Sequence, residues 1–193
     1  MKKFIVAIVM ILVSLTSFAG HLKVLGVPID GTITQFQARL QQKGCRYDKT
    51  VSGMLPNGAR AFNGTFAGKK ANIYAYYDLK SKIVYRVKIC FTELSEQIAE
   101  QEYAEFKNRL SAKYGEDNMR TGEKDGKEAV SFFTPDGTEI IEGEECDVFN
   151  GMIDMFITKR EDMSNYPYYY TLHIDYYDTD NNQKHENANL DDL

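Results

Sequence analysis

The chain has 193 residues, with 28 acidic side chains against 23 basic ones and a formal net charge of −5. That length suits one domain, or two small repeated halves sharing a core. The acidic balance argues against a nucleic-acid partner and against a polybasic contact with an anionic membrane.

Lys2 and Lys3 precede an almost wholly apolar run from Phe4 to Leu15, and Ser17-Phe18-Ala19 then offers small residues at a cleavage site. This three-part layout predicts a secretory signal peptide over residues 1–19, cleaved near Ala19, and a periplasmic or secreted mature protein. The apolar run falls short of the roughly 20 residues a membrane-crossing helix needs. No other stretch is long or apolar enough, so no membrane span is expected in the mature chain. Export permits disulfides. Cys45, Cys90 and Cys146 are odd in number, so at least one thiol stays unpaired and the expectation is one bridge or none. Their spacing matches no metal motif.

In chain order, His21 to Val27 reads as a short edge strand ended by Pro28. Thr32-Ile33-Thr34-Gln35 fits a capping box. Ile33, Phe36 and Leu40 follow at helical spacing and Gly44 supplies a stop, which predicts a helix over 33–43. Cys45 to Val51 is a weaker candidate strand. Arg60 to Ala67, Ala71 to Tyr77 and Lys82 to Phe91 are predicted strands, with Gly68-Lys69-Lys70 and Asp78-Leu79-Lys80-Ser81 as the turns between them. In the third of these, Ile83, Tyr85, Val87, Ile89 and Phe91 alternate with Val84, Arg86, Lys88 and Cys90, as expected where one face is buried. A longer helix is predicted over 94–114, with Leu94, Ile98, Tyr103, Phe106, Leu110 and Tyr114 as its apolar stripe. Glu128 to Phe133, Thr138 to Ile141, Asp147 to Thr158 and Tyr168 to Tyr177 read as further strands. Pro135-Asp136-Gly137 reads as a turn, and Gly143 and Gly151 interrupt. Residues 179–193 are polar and aperiodic, and are expected to form a disordered acidic tail.

Phe36 to Lys43 and Phe106 to Lys113 share the pattern F-x-x-R-L-x-x-K, each near the end of a predicted helix and each followed by strands. Duplication of a helix-plus-four-strand unit accounts for this, and so does coincidence between ordinary core and surface positions. The fold class expected is α+β, with two helices packed on one face of largely antiparallel sheet. Residues 20–178 form a single domain, with candidate repeat halves 20–91 and 92–178.

Motifs for catalysis or metal binding are weak. Val27 to Thr32 resembles the D-x-D-G-T loop of haloacid-dehalogenase-like phosphatases, but Pro28 stands where that loop needs its nucleophile. Asp178, Asp180 and Asn182 have the opening spacing of a calcium loop, yet Gln183 and Asn189 fill positions that need glycine and glutamate. His21, His173 and His185 have no zinc-site spacing. No cofactor is implied. Asn63-Gly64-Thr65 matches a glycosylation acceptor, which a bacterial exported chain is expected to leave unused.

The richest stretch is Tyr168 to Asp178. Leu172 and Ile174 assign Tyr168, Tyr170 and Tyr176 with them to the core, so Tyr169, Thr171, His173, Asp175 and Tyr177 face solvent. Equivalent parity puts Tyr74, Tyr76, Arg86, Lys88 and Asp154 on the same open face. The candidate binding residues are therefore Tyr74, Tyr76, Arg86, Lys88, Asp154, Tyr169, His173, Asp175 and Tyr177. Tyrosine is an effective contact residue. It is also a strong strand former that stabilises sheets without binding anything.

GVPIDGT before a short helix, with AFNGTFAGKKANIYAYYD and KIVYRVKICF, resembles small exported proteins of gut Bacteroidetes, a group with no known activity. The resemblance covers most of residues 22–114 and implies an envelope or secreted location. The function expected is non-enzymatic binding through the open, tyrosine-rich sheet face. A protein partner is favoured over a glycan because the chain has no tryptophan. The alternatives are a hydrolase using carboxylates or His173 in a cleft between the halves, and an assembly role for the same sheet.

Overall fold

A computed structural model describes residues 20–141, 144–160 and 169–190. The expected signal segment, Gly143 and Tyr168 lie outside the described residues. The chain begins with a two-residue hairpin, β1 (Lys23–Val24) and β2 (Val27–Pro28), turning at Leu25 and Gly26 with φ of 54° and 73°. The predicted edge strand is thus a separate small hairpin, because two left-handed residues turn the chain back before it can extend.

The first half continues with α1 (Ile33–Gln42), β3 (Arg46–Asp48), the single turn α2 (Lys49–Ser52), β4 (Ala59–Phe66), β5 (Lys69–Tyr77) and β6 (Val84–Leu94). The second half follows with α3 (Glu96–Tyr114), β7 (Met119–Lys124), β8 (Lys127–Ile141), β9 (Glu144–Lys159) and β10 (Tyr170–Asp178), and then α4 (Thr179–Leu190). One eight-stranded sheet has the order β3-β4-β5-β6-β10-β9-β8-β7, with every pairing antiparallel. Read outward from the central β6–β10 pair, the strands descend in order on both sides. Each half is therefore a helix followed by a four-strand meander, the architecture the repeated F-x-x-R-L-x-x-K pattern anticipates.

Local chemistry explains the elements. Thr32 accepts from Gln35 N, while the Gln35 side chain accepts from Thr32 N at 2.9 Å, so the capping box closes as expected. Ser95 caps α3 by accepting from Ile98 N, and Gly115, with φ of 86°, takes the chain out of it. The β4–β5 loop is Ala67-Gly68, both left-handed, one position earlier than the turn expected from the sequence. A two-residue loop of that geometry matches the twist of the strands it joins.

The core is one cluster between the helices and one face of the sheet. Phe36 and Leu40 of α1 and Phe106 and Leu110 of α3 pack on alternating strand residues such as Ile73, Val87, Ile89, Ile153, Met155, Leu172 and Ile174. Phe106 stacks on Phe91 at 5.2 Å and lies 5.9 Å from Phe66.

Five features differ from the expectations or were absent from them. First, Val84 is fully buried and Tyr85 only half-buried, the reverse of the assigned parity. A register shift at Tyr76/Tyr77, opposite Arg86 and Val84, inserts Tyr85 as an extra residue and reverses the alternation below it. Second, Pro135-Asp136-Gly137 does not end a strand. β8 runs through it with register shifts around Pro135, where a bulge tolerates the missing N–H. Third, β7 had no apolar signal, because this edge strand leaves five of its six residues exposed. Fourth, the boundary expected at residue 91 falls inside β6.

Fifth, the tail expected to be disordered forms α4. Asp178 accepts from Asn181 N at 3.0 Å, and Asn181 Nδ2 donates to Ile29 O at 2.9 Å and Val84 O at 3.2 Å. His185 stacks on Tyr85 at 4.0 Å and contacts Asp78 at 3.1 Å. These anchors are polar, so no apolar period betrays them. Cys45, Cys90 and Cys146 are all free. Among the described residues no helix is long and apolar enough to cross a membrane.

Candidate functional site

The sheet face away from α1 and α3 carries the site. Register alone builds three rows across its centre. Tyr76, Arg86, Tyr177 and Met152 are direct neighbours, as are Tyr74, Lys88, Asp175, Asp154 and Ser131. Asn72, Cys90, His173 and Phe156 form the third row. Of the nine candidate residues expected from the sequence, eight share this face.

Tyr169 is the exception. It precedes β10, packs against the core cluster and stacks on Tyr170 at 4.9 Å. It lies one residue before the strand begins, where the alternation that assigned it outward no longer applies.

Arg86 is the hub. Its Nε donates to Asp175 Oδ1 at 2.8 Å, and its Nη2 donates to Asp175 Oδ2. The guanidinium sits 4.7 Å from the Tyr76 ring centre and 4.8 Å from that of Tyr177, between the two rings. Tyr177 Oη also donates to Asp175 Oδ2 at 3.3 Å. Asp175 itself is fully buried. The expected exposed aspartate is therefore the anchor that holds an arginine between two tyrosines. Burial raises the pKa of Tyr74, Tyr76 and Tyr177, so these phenols stay neutral hydrogen-bonding groups.

His173 stacks on Phe156 at 4.8 Å, and its two ring nitrogens contact Thr158 Oγ1 at 2.8 Å and Cys90 Sγ at 3.3 Å. Burial, then the nearby Lys88 and Lys124 charges, lower its pKa from 6.5 to about 3. Burial pushes the Cys90 thiol up to about 12. Neither group is poised to exchange a proton near neutral pH, and Asp175 is occupied by Arg86. Asp154, raised mainly by burial, accepts from Ser131 Oγ at 2.6 Å. The arrangement offers rings, hydroxyls and fixed charges for contact more than groups for proton transfer.

The His173 shift has a pH consequence. An imidazole whose folded pKa lies below its free value is protonated first in the unfolded chain, so acid favours unfolding. Stability from this source is full above 6.5 and is lost progressively as pH falls toward about 3. His173→Gln is expected to flatten the fall in denaturation midpoint across that window. A fall as steep as in the wild type would contradict the neutral assignment.

Sequence reasoning missed Phe156, Thr158, Ser131 and Lys124. Phe156 shares the parity of Asp154 two positions earlier, and that alternation was the available signal. Lys124 lies on β7, which gave none. A larger cavity, about 660 Å³, opens between the β4–β5 hairpin and the end of β6, lined by residues including Arg46, Asn63, Lys70 and Asn72. Its lining holds one aromatic ring, Phe91, so the tyrosine centre remains the stronger contact surface. Among the described residues no His, Cys, Asp or Glu group has the grouping of a metal site.

No family model, curated protein or solved structure matches the chain.

Proposed function

We propose that the protein is an exported, non-enzymatic binding protein that holds a protein partner on the open face of its sheet. The observation that carries this reading is the Tyr76–Arg86–Tyr177 stack at the centre of the uncovered face, locked from below by buried Asp175. Arginine and tyrosine are the residue types that dominate contact energy, and here they are held in place before any partner arrives. Little side-chain freedom remains to be lost on binding. The neutral His173, the protonated Cys90 and the engaged Asp175 support binding over hydrolysis. Export rests on the basic, apolar and small-residue layout of residues 1–19.

Hydroxyl-radical footprinting of the chain, free and after capture of its partner from envelope or host extracts, tests the reading. Protection confined to Tyr74, Tyr76 and Tyr177 supports it. Protection confined to α1 and α3 sinks it.

A further inference from the structure

On the open face, the side chains of Lys88 (β6) and Lys124 (β7) converge from the two halves on one ring. Their ammonium groups lie 5.5 Å and 3.5 Å from the centre of Phe156, which is only 8% exposed. Among the described residues neither lysine is ion-paired. They border a shallow pocket of about 300 Å³ whose walls include Arg86, Ser131, Asp154 and Tyr177.

The charges around this pocket do not cancel. Asp175 is consumed by Arg86. Glu123 also borders the pocket, but it lies directly opposite Glu128, whose carboxylate is held by Tyr103 and Lys107 of α3 on the helix side. Alternation along β7 places Glu123 with Thr121, opposite buried Val130, on the helix face, and Lys124 with Gly122 on the open face. Asp154 alone then opposes two ammonium groups, and its carboxylate already accepts from Ser131. This is a locally cationic pocket on a chain of net charge −5.

From this geometry we infer that the pocket receives an acidic side chain, aspartate or glutamate, of the protein partner. The carboxylate bridges Lys88 and Lys124, and the adjoining methylene packs beside Phe156. Charge complementarity selects this occupant. An acidic group gains two charge-assisted contacts at no cost in broken ion pairs, whereas a basic or apolar one would leave both ammonium groups facing it. The inference rests on the open face being the contact surface.

The test is an NMR titration with two blocked peptides of about five residues, one alternating glutamate with tyrosine and one with glutamine in place of glutamate. The glutamate peptide is expected to shift β6, β7 and β10 amides and to bind about tenfold more tightly than its counterpart. Added salt should erode that advantage, and Lys88→Met with Lys124→Met should abolish it while leaving the fold intact. If both peptides bind the open face equally, or if the advantage survives loss of both lysines, the inference is overturned and the contact-face reading stands. If the glutamate peptide leaves the open face unperturbed at millimolar concentration, the inference is also overturned. The broader reading is then decided by footprinting alone.

Discussion

Arg86→Met is expected to lower the free energy of unfolding by about 3–5 kcal/mol. The substitution leaves Asp175 fully buried, with only the Tyr177 hydroxyl, at 3.3 Å, among its side-chain hydrogen bonds. A buried carboxylate that loses its cation keeps its desolvation cost and loses its compensation. Methionine fills much of the space between Tyr76 and Tyr177 and makes favourable contacts with rings, so lost packing is a minor part of the effect. The double variant Arg86→Met, Asp175→Leu is expected to regain most of the loss, because an apolar pair of similar volume replaces a buried ion pair at little net cost. Urea denaturation of the two variants measures both. A loss below about 1 kcal/mol in the single variant would mean that Asp175 reaches solvent without Arg86. The double variant should still bind poorly, since the guanidinium between the rings is gone.

Phe36→Ala and Phe106→Ala are each expected to cost about 3–5 kcal/mol. The two rings occupy equivalent places in the repeated pattern. Both are buried, at 0% and 3% exposure, on the helix faces that cover the sheet. Arg109, at the equivalent solvent-facing position of α3, pairs with Glu105 one turn earlier and is largely exposed. Arg109→Ala is therefore expected to change stability by no more than about 0.5 kcal/mol. That contrast separates the two parts of the pattern in α3: its apolar positions hold the core together and its arginine is solvated, whereas the matching Arg39 of α1 is half-buried and pairs with Asp30. If one phenylalanine proved nearly neutral, the two helices would not be equivalent supports of a shared core.

Why some of this was legible beforehand follows from which face each residue occupies. Strands with one buried face alternate, so β5, β9 and β10 disclosed their parity through Ile73, Ile153, Leu172 and Ile174. The same parity carried Tyr76, Tyr177, His173 and Asp175 to the correct side. Where a bulge inserts a residue, as at Tyr85, alternation misleads below the insertion. At Tyr169 the chain lies just outside the strand and the rule no longer applies. β7 is solvated along nearly its whole length, so hydrophobic pattern was silent, and Lys124 went unseen with it. α4 is held by Asn181 and His185 rather than by an apolar stripe, and polar anchors carry no period. Long-range pairing was the remaining unknown. That β6 lies beside β10, bringing Arg86 to Asp175, depends on how the two halves join, which neither half's sequence states.

The most direct test of the account is the oxidation rate of individual tyrosines under hydroxyl-radical footprinting, read first on the free chain and then on the captured complex. In the free chain Tyr74, Tyr76 and Tyr177 should react several-fold faster than Tyr103, Tyr170 and Tyr176, which are 5–8% exposed, and capture should slow the first three alone. Equal protection of both groups before capture, or unchanged rates at Tyr76 and Tyr177 after it, would contradict the claim that this side of the sheet is open and is where the partner sits.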